Sequence, residues 1–288
     1  MTAGHREAVG QACRELSGRE LARRLRADAA ARAAALAADG CRPRLAVVTA
    51  NDDGGSAAYV RSLANAAARE GIACDVTRTT TAADITATLA QLASDPGVHG
   101  IILQTPLPGG ANLAELAAAI PPEKDVDGAG PESIGRLAAG LPTFAPATAE
   151  AVLTLLDHYG VALHGRRAVV VGRSVTVGKP AAYLLLARHA TVTICHSRTA
   201  DLPAVTRQAD VLVAAVGRAG LIGPGYVSPG TTVIDVGTNA TSDGRLAGDV
   251  DPAVASVAAA LTPVPGGVGP VTTALLLSHV VAATEATR

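Results

Sequence analysis

Residues 166–198 read RRAVVVGRSVTVGKPAAYLLLARHATVTICHSR. An apolar run ending at Val171 fits a buried strand, and Gly172 and Gly178 punctuate a turn. AAYLLLA then continues at helical spacing, and TVTIC makes a second strand. Glycines between a strand and a helix let the backbone approach a pyrophosphate, which sits at the positive helix end. The spacing is not GxGxxG, because Ser174 stands where the second glycine would be, and a plain strand–turn–helix would read the same way. The end of the second strand is more telling. His196, Ser197 and Arg198 stand where an NAD-selective fold places an Asp or Glu on the ribose 2′-hydroxyl. A carboxylate would repel a 2′-phosphate, whereas Ser197, Arg198 and Arg173 would accept one. The stretch therefore points to NADP rather than NAD, with solvated surface arginines as the plain alternative. Its candidate cofactor contacts are Gly172, Arg173, Ser174, Val177, Gly178, Ser197 and Arg198.

Downstream, ADVLVAAVG and TTVIDVG read as two more apolar strands, and PVPGGVGPVTTALLLSHVVAAT as a loop leading into an apolar helix. Upstream, residues 17–39 read as a helix with Ser17 as N-cap and Glu20 completing a capping box. Then come the strand RLAVVTAN, the polar turn DDGGS, the helix SAAYVRSLANAAAREGI at 56–72, and a strand near CDVTRTT. A helix near 82–94 and the strand GIILQT complete this half. Helices alternating with short apolar strands point to parallel α/β packing. The middle, LPGGANLAELAAAIPPEKDVDGAGPESIGRL, is rich in Pro and Gly around one short helix, and a helix at 149–159 leads into the second unit.

The chain's 288 residues suffice for one large or two ordinary domains. A net charge of −1 offers no electrostatic grip on nucleic acid or anionic lipid. Cys13, Cys41, Cys74 and Cys195 are widely spaced and no HExxH occurs, so neither a zinc site nor a disulfide framework is expected. MTAGHREAVG lacks an apolar signal core, and no charge-free apolar run of about 18 residues stands out. A soluble, cytoplasmic protein is the expectation.

Four further motifs accompany GRSVTVGKP: QTPLP at 104–108, PEKDVDG at 122–128, GDVD at 248–251 and TPVPGGVGP at 262–270. With P-x-LAVV near residue 43, S-x-x-YV at 56–60 and DVG at 235–237, they resemble, in order and spacing, the methylenetetrahydrofolate dehydrogenase/cyclohydrolase family (FolD type). The likeness runs from LSGRE to the final helix. It implies a two-domain α/β protein: residues 1–148 plus 270–288 as the catalytic, folate-cleft domain, and 149–269 as a Rossmann-like NADP domain. The final helix would return to the first domain. A tetrahydrofolate one-carbon derivative is the implied substrate, and a homodimer formed through the cofactor domain the implied assembly. Tyr59, Gln104 and Asp127 would be catalytic and substrate-binding, and Pro265, Gly266, Gly267 and Val268 would touch substrate. Gly217 and Thr238 would join the cofactor site.

Each matched residue has a physical rationale. One carboxylate can take paired, charge-assisted hydrogen bonds from a pterin's amino-pyrimidine edge. Asp127 is the candidate, with Asp125 bracing the loop. Gln104 can hydrogen-bond near the reacting nitrogens, and Tyr59 can stack on a flat ligand while its hydroxyl keeps a polar partner. A core tyrosine is the plain alternative. Pro265 and Val268 would supply apolar contact from a rigid loop.

One residue breaks the pattern. The family carries a lysine four positions after the tyrosine, Y-V-x-x-K, and here the run is Tyr59-Val60-Arg61-Ser62-Leu63. Hydride transfer needs geometry above all, but hydrolysis gains about 10²–10⁴-fold from a positioned ionisable group. Leucine can supply neither charge nor proton. Arg61 points about 200° away on a helix, Ser62 is short, and Lys124 and Lys179 sit elsewhere. The expectation is an NADP-dependent methylenetetrahydrofolate dehydrogenase whose cyclohydrolase activity is weak or lost. Alternatives are the ordinary bifunctional enzyme, a specialised biosynthetic paralogue, or a silent folate binder. Other departures are Ser133–Leu137 for N-x-G-x-L, Pro146–Ala151 (PATAEA) for P-C-T-P-x-G, and GGAN after QTPLP. Thr238 stands for an isoleucine and His279 for a common asparagine.

Overall fold

In the computed structural model, residues 12–50, 54–241 and 244–288 are described. Part of the DDGGS turn and the MTAGHREAVG terminus lie outside them. The first half runs β1 (Arg14–Glu15), α1 (Arg19–Ala38), β2 (Arg44–Thr49), α2 (Gly54–Arg69), β3 (Ala73–Arg78), α3 (Ala82–Ser94) and β4 (Gly100–Leu103). α4 (Leu113–Ala117), α5 (Pro131–Ala138) and α6 (Ala147–His158) lead into the second half. There β5 (Arg167–Val171), α7 (Gly178–Ala187), β6 (Thr191–Cys195), α8 (Leu202–Thr206), β7 (Val211–Ala214) and β8 (Thr232–Asp235) follow. A hairpin of β9 (Asn239–Ala240) and β10 (Leu246–Ala247), then β11 (Ala260–Leu261) and α9 (Val268–Glu285), end the chain.

Two parallel sheets result, ordered β3-β2-β4 and β1-β11-β8-β7-β5-β6. Strands β2, β4, β5, β7 and β8 are apolar on both faces, as parallel strands covered by helices must be, whereas β3 and β6 at the edges are largely exposed. On the larger sheet Ala168, Val170, Val211, Val213 and Ile234 belong to the core shared with α6, α7 and α9. Val169, Val171, Leu212, Ala214 and Val233 belong to the opposite core. On the smaller one Leu45 and Val47 alternate with Ala46 and Val48 in the same way.

Helices α1 and α9 bind the halves together. The first turns of both lie in the core of the larger sheet and their later turns in that of the smaller. They run in parallel, tied at one end by the Gly18 N–H to the Gly266 carbonyl (2.8 Å) and at the other by Arg32 and Glu285 (2.6 Å). A Cβ on Gly18 would collide with the Gly267 carbonyl, so this close start demands glycine.

Several sequence expectations are corrected. α1 begins at Arg19 with Gly18 as N-cap and no side-chain cap; Glu20 instead pairs with Arg23. The middle segment holds two short α-helices, α5 opening on Pro131 at a position that needs no N–H. Arg14–Glu15, grouped by sequence with the first domain, add a strand to the second sheet through Ala260–Leu261. α9 is long and apolar enough to cross a bilayer, but 61% of it is buried and it serves as a core helix.

Candidate active site

In the second half the strands' carboxyl edge carries the predicted cofactor residues. Val171 is in register with Cys195 and Ala214, and Ala214 with Asp235. Gly172, Ser197–Arg198, Gly217 and Thr238 therefore leave the same edge. β5 is flanked by β6 and β7, so the chain reverses its order there, which is where open α/β sheets bind ligands.

The glycines of this turn are required by contact. A Cβ on Gly172, whose φ is 133°, would meet the Ala215 carbonyl, and one on Gly178 would meet the Gly172 carbonyl. The Ser174 hydroxyl accepts the N–H of Val177 (3.1 Å) and of Gly178 (3.2 Å). Ser174 thus caps the start of α7 itself. Those two donors are engaged inside the turn. Arg173, Ser197 and Arg198 are exposed at the adjoining edge.

GDVD and DVG form a brace for this edge. The Asp249 carboxylate is fully buried and accepts the N–H of Val216 (2.6 Å), Gly217 (3.0 Å) and Arg218 (2.8 Å), plus the Asn239 amide (2.9 Å). The Asp235 carboxylate accepts from Gly237, Asp249 and Val250. Burial pushes Asp235 up to about 6 despite these bonds. Sequence reasoning noticed both motifs but gave neither aspartate a role; acids inside otherwise apolar, glycine-flanked stretches were the signal.

The residues predicted to bind folate lie on the first half. Tyr59 lies on α2, Gln104 follows β4, and Asp127 ends the KDVDG loop, whose Lys124 carbonyl binds the Ile101 N–H of β4 (2.8 Å). Tyr59 and Asp127 are close enough that the carboxylate, after burial, helps hold the phenol well above its ordinary range. Burial, then the neighbouring Asp125 carboxylate, pushes Asp127 up to about 7, while His279 pulls the other way. Asp125 is itself buried and accepts the Ala129 (3.2 Å) and Gly130 (2.8 Å) N–H groups, bracing the loop. The Gln104 amide donates to the Thr105 carbonyl (2.9 Å).

The 262–270 loop divides. Pro265 is exposed, and the Gly266 carbonyl is bound by Gly18. Gly266 has φ 115°, and Gly267 packs so closely on the Pro263 carbonyl that a Cβ would crowd it (2.7 Å). Val268 is only 4% exposed and packs in the core with Leu21 and Val271, so its expected role as an apolar ligand contact is corrected to a structural one.

Leu63 is 1% exposed within the apolar cluster containing Val60, Ala66, Ile102 and Val126, while Tyr59 on the same helix face stays 37% exposed. Lys124 cannot stand in for the missing ammonium. Its Nζ donates to the Ala93 (2.9 Å) and Asp95 (2.7 Å) carbonyls at the end of α3. Arg61 and Ser62 are exposed, and Lys179 lies on α7. Sequence reasoning missed one feature. His279 Nδ1 is 2.8 Å from the Val126 carbonyl and Nε2 is 3.0 Å from Glu150, with the Phe144 ring stacked at 5.0 Å.

Comparison with known proteins gives two family matches. The catalytic domain of tetrahydrofolate dehydrogenase/cyclohydrolase matches residues 16–127, and its NAD(P)-binding domain matches residues 146–288. The chain is 61% identical over 274 residues to "Bifunctional protein FolD 1" of Saccharopolyspora erythraea, covering 94% of each chain. It is also 61% identical over 272 residues to the protein so named in Rhodococcus jostii, covering 93% and 92%. Among solved structures, the bifunctional FolD of Campylobacter jejuni superposes with a TM-score of 0.92 at 37% identity, covering 96% of this chain and 100% of that one. The FolD of Trypanosoma brucei, complexed with NADP and inhibitor, gives 0.90 at 34% identity, covering 96% and 99%.

Proposed function

This chain belongs to the tetrahydrofolate dehydrogenase/cyclohydrolase family, and on that premise we propose that it oxidises 5,10-methylenetetrahydrofolate with NADP and hydrolyses the methenyl product. The observation that carries the proposal is the pairing of two sites in one chain. An acid and a tyrosine lie together on the first sheet's side, with Gln104 at the end of β4, and a glycine turn with two free-standing arginines lies at the switch point of the second.

NADP fits the second site: the Gly172 cradle has no room for a Cβ, and Arg173 and Arg198 offer cations where the 2′-phosphate would lie. When bound it supplies the acceptor for the hydride that leaves the one-carbon bridge. The chain's residues position that exchange. Asp127 takes the pterin's amino-pyrimidine edge and Tyr59 covers its face, remaining protonated because burial and Asp127 oppose its ionisation. Gln104 is set beside the reacting nitrogens. Asp249 fixes the 216–218 loop at the edge that would hold the cofactor, where Gly217 and Thr238 would contact it. Pro265, Gly266 and Gly267 close the far side of the cleft.

For hydrolysis, Gln104 and Tyr59 orient the attacking water. The expectation that this activity is weak or lost is revised: relatives called bifunctional at 61% identity over 94% of the chain favour the ordinary two-activity enzyme. Leu63, dry within its apolar cluster, makes hydrolysis the slower half rather than an absent one. β6 ends the six-stranded sheet with Ile194 40% exposed, an edge suited to a second copy of the chain, which supports the homodimer.

The test is to follow NADP reduction with methylenetetrahydrofolate and, separately, the decay of methenyltetrahydrofolate. Both should exceed their spontaneous rates, with hydrolysis the smaller. Hydrolysis at the spontaneous rate would return the protein to a dehydrogenase alone.

A further inference from the structure

One departure from the family's motifs, His279, touches a residue 129 positions away in sequence, Glu150. Glu150, in the segment PATAEA at the start of α6, accepts from His279 Nε2 at 3.0 Å. The other ring nitrogen, Nδ1, lies 2.8 Å from the Val126 carbonyl, the peptide that leads directly into Asp127. A neutral imidazole has one N–H, so both contacts to acceptors require the imidazolium. His279 is 8% exposed, and Phe144 covers its ring. Solvent reaches Glu150 through an open cavity of about 410 Å³ walled by Phe144, Thr154, Asp157, Leu184 and Arg188.

From this geometry we infer that His279 and Glu150 are positioning residues that fix the Val126–Asp127 peptide, and so aim the substrate-binding carboxylate. The inference rests on the folate site proposed above and deepens it. α9 carries the histidine, α6 the glutamate, and the loop between β4 and α5 the carbonyl, so one ring joins three elements. The charged groups facing the ring are Glu150 from α6 and Asp127 from the loop, with Asp125 behind it. β2 and β4, which also pack on α9, present apolar residues there, and on α1 Arg32 is paired with Glu285 at the far end of α9. Burial alone would neutralise the imidazole; Glu150, the Val126 carbonyl and Asp127 reverse that and hold its pKa above the ordinary value. Losing the second proton at high pH releases either the loop or α6.

The experiment measures KM for methylenetetrahydrofolate, kcat and calorimetric binding of tetrahydrofolate from pH 6 to 9, in wild type, His279→Leu and Glu150→Gln. NADP affinity serves as the control for folding. His279→Leu should raise KM and the tetrahydrofolate Kd by about tenfold, the effect of losing roughly one charge-assisted bond. NADP affinity should stay within twofold. Wild-type KM should rise on the alkaline side, and that limb should vanish in His279→Leu. Glu150→Gln keeps an acceptor for Nε2 and should recover most of the KM while shifting the limb to lower pH. Equal Kd values with unchanged pH profiles in both variants would overturn the positioning role and leave the folate site standing. Failure of wild type itself to bind tetrahydrofolate would overturn both.

Discussion

Replacing Asp127 with asparagine should make the unliganded protein more stable and the enzyme worse. The carboxyl is pushed from 3.8 up to about 7 by burial and by Asp125. A rise of about 3 pH units corresponds to ~4 kcal/mol of penalty on the ionised form. Asp127 is half-buried, so solvent screening reduces this to ~2 kcal/mol. The sign follows from the raised value. The folded state favours the protonated acid, its contribution is whole below pH ~4, and it is lost as pH climbs through 7. Other buried groups titrate too, Asp235 near 6 and Glu70 near 7 among them, so the difference between variant and wild type is the quantity to read. Urea unfolding without ligand should show D127N more stable by up to ~2 kcal/mol at pH 8 and nearly equal at pH 4. In kinetics the same change removes a charge-assisted pair of bonds worth ~1.5–3 kcal/mol, so KM for the folate substrate should rise by ~10–100-fold. An unchanged KM, or a stability difference that does not grow with pH, would refute the assignment of Asp127.

Leu63→Lys places an ammonium at the edge of a dry cluster. It should cost about 1–3 kcal/mol of stability and raise methenyl hydrolysis by ~10²-fold in the spectrophotometric decay assay; no gain would mean the surrounding pocket, and not one side chain, limits that step. Arg198→Glu should lower the preference for NADP over NAD by at least ~10-fold, read as a ratio of kcat/KM values, because it sets a like charge against the 2′-phosphate. Asp249→Ala orphans three backbone donors and the Asn239 amide, costing about 3–5 kcal/mol in chemical denaturation and weakening NADP binding more than folate binding in calorimetry.

The alternation of apolar strands and helices made the parallel α/β architecture legible, since a buried parallel strand needs only a short β-branched run such as VVV at 169–171. α3 was bounded well because Thr81 and Asp84 form a real capping box. Ser17 and Glu20 show the same pattern, yet the Gly18–Gly266 contact moves the helix start and leaves Glu20 to Arg23. Strands of two residues such as β1 and β11 carry no periodicity and exist only because a sheet is there to receive them. At the site, the family resemblance pointed to Tyr59, Gln104 and Asp127 and their residue types gave each a rationale, but neither told whether Val268 faces ligand or core. Contacts between distant segments were hidden for the same reason. Lys124 capping α3 and His279 bridging Glu150 and Val126 are facts of packing that no local spacing announces.

The destination of the hydride is the most direct test of one shared site. Methylenetetrahydrofolate carrying two deuterium atoms on its one-carbon bridge can be turned over with NADP and the reduced cofactor analysed by mass. Direct transfer within one cleft predicts one deuterium in each reduced cofactor and none in solvent. Deuterium released to water, or no cofactor reduction at all, would contradict it.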